Sequence, residues 1–204
     1  MQTLEGFKVI DLATVVMGPF AARILGDMGA DVIKVEAPGG DNVRGIGPSR
    51  HDGMGAIFLN VNRSKRSVVL DGPGGRDRLD GLLARADVVV TNLRAAGGDL
   101  RALDPDAVVA AHPQVVVSDI RMPPNFQDEG IVGSKEVRKR HPGTGIVILS
   151  QYDDPDYAIA LLEEGAAGYA YLLKDRVSDG DRLARAVREV ATGGSMLDPE
   201  IVQA

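Results

Sequence analysis

The stretch "FKVIDLATVVMGPFAARILGDMGADVIKVE" (residues 7–36) decides the fold class of this chain. Its two ends, 7–13 and 31–36, are short runs of apolar and β-branched residues that predict two strands. Residues 19–29 have the apolar spacing of a helix, and Pro19 suits a first helical turn. A strand, a helix and a second strand in so short a stretch indicate a βαβ unit with parallel strands.

The same alternation continues along the rest of the chain. Further strands are predicted at 67–71, 87–92, 114–119, 145–150 and 168–174, and further helices at 76–86, 104–111, 129–141, 155–165 and 179–193. Continuous apolar strands are buried on both faces. The fold class is therefore α/β, with a doubly wound, mainly parallel sheet of about seven strands, a hybrid of the Rossmann-like and flavodoxin-like types. Residues 37–60 show no clear period and are interpreted as a long loop.

Composition and charge exclude several classes of protein. A net charge of −6 argues against a nucleic-acid binder, and the basic run at 62–66 lacks interleaved aromatic residues. No apolar run is long enough for a membrane span, and the first residues lack the regions of a signal peptide. With no cysteine in the chain, we expect a cytoplasmic protein without membrane or nucleic-acid partners.

Three segments in the first half carry a family resemblance. They are "LEGFKVIDLATVVMGPFAARILGDMGADVIKVEAPGGDNVR" (4–44), "NVNRSKRSVVLD" (60–71) and "ADVVVTNLR" (86–94). In this order and spacing, residues 1–117 resemble the N-terminal part of the family III CoA-transferases. That family includes formyl-CoA and carnitine-CoA transferases and α-methylacyl-CoA racemases.

The resemblance implies a site for coenzyme A or acyl-CoA. In the family, the segments that match 62–67 and 92–94 line the nucleotide side of CoA. By that resemblance, the candidate CoA-binding residues are Arg44, Lys65, Asn92 and Arg94. Basic side chains and the start of the helix at 19 could hold the phosphates of CoA. The alternative is that these side chains form only a solvated basic rim.

The sequence also departs from the family. Gly is common in the family where Ser64 stands, and Pro is common where Ala95 stands. The family's catalytic carboxylate lies past a glycine-rich turn beyond the strand at 114–118, where this sequence no longer resembles it. We therefore expect CoA transfer to lack its nucleophile, which favours a binding protein over an enzyme.

Residues 115–204 resemble a different family. "VVVSDIRMPP" (115–124), "GIVILSQY" (145–152), "AGYAYLLKDRVSD" (167–179) and "GGSMLDPEIV" (193–202) resemble the C-terminal part of a receiver domain of a LuxR-type response regulator. The resemblance implies a phosphoryl group that passes from a histidine kinase to Asp119. It further implies that Ser150 and Lys174 contact the phosphoryl oxygens and that Tyr171 is the switching aromatic residue.

A receiver also needs two acids on its first strand to bind Mg²⁺ together with the acceptor aspartate. If the strand order is 3-2-1-4-5-6-7, strand 87–92 takes that place, and it ends in Thr91 and Asn92. Neither side chain is ionised, and Mg²⁺ prefers carboxylates. We therefore expect weak Mg²⁺ binding at Asp119 and weak or absent phosphorylation.

The chain is thus interpreted as a chimera-like hybrid of two segments, 1–114 and 115–204, in one continuous sheet. Three functions stay open on these residues. The first is a binding or regulatory hybrid that keeps a CoA site, and the second is a signalling module phosphorylated at Asp119. The third is a CoA-transferase fragment that needs a partner chain. The acyl substrate, the kinase and the oligomeric state are left open as well.

Overall fold

One parallel sheet contains all the strands of the described residues. The computed structural model describes residues 3–92, 114–120, 128–151, 155–162, 165–177 and 181–199. The strands are β1 (Lys8–Asp11), β2 (Asp31–Glu36), β3 (Lys65–Val69), β4 (Val88–Thr91), β5 (Val115–Asp119), β6 (Gly145–Ser150), β7 (Tyr169–Leu173) and β8 (Met196–Leu197). Their order is β3-β2-β1-β4-β5-β6-β7-β8, with every pairing parallel. The predicted α/β class and doubly wound strand order are confirmed.

Helices cover both faces of this sheet. Within the described ranges they are α1 (Met17–Asp27), α2 (Ala56–Asn62), α3 (Gly75–Leu83), α4 (Glu129–Arg140), α5 (Pro155–Leu162) and α6 (Asp181–Ala191). The buried side chains of α1 and α6 share one hydrophobic core, and those of α3, α4 and α5 share the other. The helix α2 packs on α1. None of these helices is long and apolar enough to cross a membrane.

The strands supply both cores because successive side chains point to opposite faces. In β5, Val115 and Val117 pack with α1 and α6, while Val116 packs against the other layer. Every residue of β6 is buried. A fully buried aliphatic side chain stabilises a fold by roughly 1.5–3 kcal/mol relative to exposure. The continuous Val and Ile runs therefore fix the centre of the sheet.

The sheet is continuous where the two resemblances meet. Val88 of β4 lies beside Val115 of β5, and the register runs on to Thr91 beside Ser118. The next pair, β5 and β6, ends with Asp119 beside Leu149. The ladder from β4 to β6 therefore has no break, and the carboxyl ends of these strands lie at one edge.

Residues 37–60 are more ordered than the sequence pattern predicts. They contain a 3-10 helix, Asn42–Gly45, and the beginning of α2. Gly55 connects them: its N–H donates to the Arg44 carbonyl at 2.8 Å, and an added Cβ would lie 2.5 Å from the Ile46 carbonyl oxygen. Close main-chain packing, rather than apolar periodicity, shapes this segment, which explains why the pattern missed it.

Strand bounds also differ at the sheet edges. The strand β3 begins at Lys65, two residues before the predicted start. It is an edge strand with few buried side chains, so hydrogen bonds to β2 define it and an apolar pattern does not. The short strand β8 adds an eighth strand beside β7. The predicted helix at 104–111 lies outside the described residues.

Candidate functional site

The strand order reverses between β1 and β4, and polar side chains gather at the carboxyl ends of the strands there. Open α/β sheets bind ligands in the crevice outside this reversal point. A narrow crevice at this edge is lined by the start of α1, the ends of β4 and β5, and the residue after β7. Its polar and main-chain lining includes Met17, Gly18, Thr91, Asn92, Asp119 and Lys174.

Lys65 is buried beneath α1. Its Nζ donates to Asp11 Oδ2 at 2.7 Å, to the Pro19 carbonyl at 2.7 Å and to Asn62 Oδ1 at 2.8 Å. Burial lowers the pKa of Lys65 to about 8, although the charge of Asp11 opposes this shift. Because an ammonium group has three N–H donors, all of them are engaged within the chain. Lys65 therefore braces α1 and offers no spare donor to a phosphate in this conformation.

A second buried lysine, Lys34, extends this network. Its Nζ lies 2.9 Å from Asp41 Oδ2 and 3.9 Å from Asp11 Oδ2, and these three side chains are at most 1% exposed. Asp41 Oδ2 receives no well-aligned hydrogen bond and is held by the charge of Lys34. Two lysines and two aspartates balance in formal charge, which offsets part of the cost of burying them.

Arg44 is held by Glu36, which lies eight residues earlier, at the end of β2. Its Nε and Nη2 donate to the two carboxylate oxygens at 2.7 and 2.6 Å, and its Nη1 donates to the Gly53 carbonyl at 3.1 Å. The guanidinium carbon lies 3.8 Å from the ring centroid of Phe58. Arg44 thus ties together the segment between β2 and α2.

The same contacts set the protonation of this pair. Desolvation would raise the pKa of the Glu36 carboxyl, but hydrogen bonds from Arg44 and Ser67 outweigh it and lower the pKa to about 2. The hydrogen bond to Glu36 raises the pKa of Arg44 above its usual value. Both groups are therefore charged at neutral pH, and the guanidinium is occupied by a carboxylate of the chain itself.

Asn92, which follows β4, holds the segment that connects β1 to α1. Its Oδ1 accepts from the Thr14 N–H at 2.9 Å, and its Nδ2 donates to the Thr14 carbonyl at 2.9 Å. Both ends of the amide are used in this contact, and Asn92 also lines the crevice. The fourth candidate CoA-binding residue, Arg94, lies outside the described residues.

The β1–α1 loop, residues 12–16, has an unusual backbone. Val15 has a φ of +71°, in the left-handed region that β-branched residues rarely adopt. The side chain of Val15 is about half exposed, so burial does not compensate for this strain. The helix that follows has no side-chain cap at Val16 and no acidic residue in its first turn. Hydrogen bonds to the main chain of the loop, rather than burial of Val15 or a helix cap, therefore set its conformation.

The receiver-like residues gather at the same edge. Lys174 Nζ donates to Asp119 Oδ2 at 2.5 Å, and the side chains are 8% and 24% exposed. Ser150 ends the intervening strand β6 and is buried. Asp119, Ser150 and Lys174 thus lie at the carboxyl ends of three successive strands, as the spacing predicts. Tyr171 is fully buried in the core formed with α3, α4 and α5.

The donor set beside Asp119 does not fit a divalent cation. The neighbouring strand β4 ends in Thr91, beside Ser118, and is followed by Asn92. Beyond β4 the next strand is β1, and its terminal acid, Asp11, is already paired with Lys65. Across the described ranges, no group of three or more His, Asp or Glu side chains could hold a metal. The predicted Mg²⁺ site at Asp119 thus has no supporting group of ligands among the described residues.

Part of this arrangement is not evident from the sequence. Lys65 and Arg44 are predicted site residues, whereas the neighbouring charges were not predicted, namely Asp11, Lys34, Asp41 and Glu36. One signal was present, because a lysine within the apolar run "DVIKVE" is unexpected in a buried strand. A charge at such a position implies a buried partner, but its identity depends on the tertiary fold.

Comparisons with known proteins agree with this architecture. The family model of CoA-transferase family III matches residues 4–146, a range that includes β5 and α4. The chain is 40% identical over 127 residues to succinyl-CoA:mesaconate CoA-transferase of Haloarcula hispanica, covering 59% of this chain and 32% of that protein. It is 33% identical over 153 residues to the probable fatty acyl-CoA transferase Rv3272 of Mycobacterium tuberculosis, covering 72% of this chain and 36% of that one.

Solved structures extend the comparison. A CAIB/BAIF family protein from Brucella suis matches with a TM-score of 0.53 and 37% identity, over 66% of this chain and 39% of its own. The isolated receiver domain of RcsB from Salmonella enterica matches at a TM-score of 0.38 and 19% identity, over 48% of this chain and 68% of its own, too low to support a receiver function. The chain spans about a third of the length of the curated relatives it matches. From the family match over most of its length, this chain belongs to CoA-transferase family III.

Proposed function

We propose that this chain binds coenzyme A or an acyl-CoA at the carboxyl edge of the sheet, beside the β1–α1 loop. The observation that carries the proposal is the position and fixation of this loop. It lies at the strand-order reversal, where open α/β sheets bind ligands. Side chains from β1 and β2, and Asn92 after β4, form hydrogen bonds with its main chain. Membership of the family supplies the identity of the ligand.

The roles of the predicted CoA-binding residues follow from their partners. Lys65 and Arg44 are occupied by Asp11 and Glu36, so they support the walls of the site. Asn92 fixes Thr14 at the lip of the crevice. The uncapped start of α1 offers the main-chain N–H groups of Met17 and Gly18 and the positive end of a helix dipole to an anionic or carbonyl group of the ligand.

The test is a calorimetric melt of the protein with and without CoA. A ligand that binds only the folded state raises its stability by about 2.7 kcal/mol at a concentration of 100 times Kd. We expect one cooperative transition that moves upward with CoA. An equal ionic strength of inorganic phosphate serves as the control for general anion effects. A midpoint that ignores CoA, or that phosphate raises equally, contradicts the proposal.

Transfer of an acyl group by this chain together with a partner polypeptide is a further proposal on the same site. The relatives named above are CoA-transferases, and they are about three times as long as the matched range. A partner would supply the nucleophilic carboxylate. Acyl exchange between an acyl-CoA and a free carboxylic acid, on addition of such a partner, would support this function. CoA binding without exchange would leave only the binding function.

A second candidate function is phosphorylation of Asp119 by a histidine kinase. The observation in its favour is the contact between Lys174 and Asp119, with Ser150 on the strand between them. No group of three or more His, Asp or Glu side chains among the described residues could hold a metal at Asp119, which opposes it. We therefore propose this function second, and expect Mg²⁺ to bind weakly there.

A further inference from the structure

Four buried charged side chains contact the main chain of the segment 13–19. They are Asp11, Lys34, Asp41 and Lys65, whose side chains are at most 1% exposed. We call them the buried quartet. Three ion pairs connect its members, from Lys65 to Asp11 and from Lys34 to Asp41 and Asp11. They come from β1, β2, β3 and the segment after β2, so the quartet joins three strands and a loop.

Each member of the buried quartet makes a hydrogen bond to one piece of main chain. Asp11 Oδ1 accepts from the Ala13 N–H at 3.0 Å, and Lys34 Nζ donates to the Ala13 carbonyl at 2.8 Å. Asp41 Oδ1 accepts from the Val15 N–H at 3.4 Å. Lys65 Nζ donates to the Pro19 carbonyl at 2.7 Å. Every member of the quartet thus contacts the segment that precedes or opens α1.

The local backbone preferences of that segment do not explain its conformation. Val15 is a β-branched residue at a φ of +71°, a conformation that persists only where the surroundings enforce it. The main-chain N–H groups of residues 13 to 15 and the carbonyls of Ala13 and Thr14 are bonded to side chains outside this stretch, from Asp11, Lys34, Asp41 and Asn92. The loop conformation is therefore imposed from outside, chiefly by the buried quartet and by Asn92.

Energetics indicate that the quartet serves conformation more than stability. Removing ions from water is costly, and apolar replacements of a whole buried ion pair are often neutral or stabilising. A buried arrangement of four charges is therefore a poor way to stabilise a fold. It is an effective way to hold one loop in one shape, because each charge needs its partner in one position.

We infer that Asp11, Lys34, Asp41 and Lys65 are positioning residues, which hold the strained β1–α1 loop in the shape that binds the ligand. This inference rests on the proposed function, because the ligand concerned is CoA or acyl-CoA. The residues themselves lie below the loop and act through its main chain. Their loss should weaken ligand binding by more than it weakens the fold.

The test uses a double variant that removes one ion pair as a unit, Lys34→Met with Asp41→Asn. The asparagine keeps an Oδ1 acceptor for Val15, while the charges and the donor to Ala13 are lost. The matched control is Arg76→Met with Asp80→Asn, which removes an exposed ion pair within α3, outside the segments that match the CoA site of the family. Both double variants change the same charges by the same amounts.

Two measurements are made on each protein. Hydrogen exchange of the amides of residues 13 to 15 reports on the loop without any ligand, and calorimetric titration gives the affinity for CoA. In the quartet variant we expect exchange at these amides to be at least tenfold faster and CoA to bind at least tenfold more weakly, with cooperative melting retained. The control should match the wild-type protein in both.

A rescue variant separates positioning from a general structural role. Glycine adopts a positive φ without strain. Val15→Gly in the quartet variant should therefore restore CoA affinity at least threefold, whereas a merely structural loss would not respond. If the double variant does not fold, Asp41→Asn alone should show losses in the same direction of about fivefold in both measurements.

The outcomes separate the inference from the proposed function. Faster exchange at the loop with unchanged CoA affinity would overturn the inference, and so would unchanged exchange and affinity together. If the wild-type protein binds no CoA, the proposed function is wrong, and with it the assignment of these residues to CoA binding. The exchange rates alone then decide whether the quartet holds the loop.

Discussion

Lys174 Nζ lies 2.5 Å from Asp119 Oδ2, so an ion pair spans the carboxyl ends of β5 and β7 across the intervening strand β6. Both residues also line the crevice that begins at Met17 and Gly18, the first residues of α1. A single crevice therefore joins side chains from the segment 115–204 to the start of α1, next to the loop that we propose as a CoA site.

The first prediction concerns Asp119 as a phosphoryl acceptor. The wild-type protein should be labelled slowly or not at all by a small phosphodonor, because the metal needs a second carboxylate near Asp119. Thr91→Asp adds a carboxylate to a residue that lines the same crevice. In this variant we expect Mg²⁺-dependent labelling to increase at least tenfold, measured by the mass of the intact protein.

Asp119→Asn in the Thr91→Asp background is the control, and it should abolish any labelling. Rapid, Mg²⁺-dependent labelling of the wild-type protein would show that the neutral neighbours suffice. It would also move phosphorylation ahead of CoA binding as the better-supported function.

A second prediction is a loss of stability in acid that depends on Glu36. Its pKa is about 2 in the folded protein, compared with 4.5 for an unperturbed glutamate. The folded state therefore binds fewer protons than the unfolded state between these values. The stabilisation is present above about pH 4.5 and is lost as the pH falls towards 2, with a total of about 3 kcal/mol.

Denaturant unfolding from pH 2 to 7 measures the contribution of Glu36 as the difference in free energy of unfolding between the wild-type protein and Glu36→Gln. The difference in free energy of unfolding should shrink steadily from pH 5 to pH 2. A constant difference over this range would mean that Glu36 does not carry the linkage. Asp27, whose pKa is also about 2, remains in both proteins and cancels.

The third prediction concerns Lys65, whose burial makes stability depend on pH in the alkaline range. Burial lowers its pKa to about 8 from 10.5. Between these values the unfolded chain binds one more proton than the folded protein, so the free energy of unfolding rises with pH. Relative to Lys65→Met, the wild-type protein should gain up to about 3 kcal/mol between pH 8 and 10.5.

The measurement is chemical denaturation of both proteins at several alkaline pH values. The difference should level off above about pH 10.5, where both states of Lys65 are neutral. A difference that falls with rising pH would mean that the Asp11 carboxylate holds the ammonium charged throughout. The effect of burial would then be smaller than the attraction of its partner.

The fourth prediction tests the packing of α4 against the end of β5. A Cβ on Gly130 would lie 1.7 Å from the Asp119 carbonyl oxygen, whereas a Cβ on Gly133 of the same helix would meet nothing within 4 Å. Gly130→Ala should therefore destabilise the protein by about 3 kcal/mol through overpacking. Gly133→Ala should stabilise it by about 0.5–1 kcal/mol through higher helix propensity.

Thermal unfolding of the two alanine variants checks this difference directly. The chemical change is the same in one helix, so only the surroundings differ. Equal stabilities would mean that β5 and α4 can move apart at no cost. The Asp119 main chain would then be less constrained than its contacts indicate.

Local sequence determined the elements and their order because apolar periodicity is a local property. Residues 7–36 predict the first βαβ unit, and the structure has β1, α1 and β2 at those positions. The doubly wound order also follows from short right-handed crossovers. The pattern failed where packing is not periodic, at the edge strand β3 and in the segment 37–60.

The candidate site is different, because it depends on contacts between residues far apart in the chain. The sequence identified Lys65 and Arg44 as charges and marked Asp119 and Lys174 by their positions after strands. Only the tertiary structure shows that Asp11 lies 2.7 Å from Lys65. It alone also shows that both carboxylate oxygens of Glu36 accept hydrogen bonds from Arg44. Parallel strands bring their carboxyl ends together whatever their separation in sequence. Burial then decides whether a charge there faces a ligand or a partner within the fold.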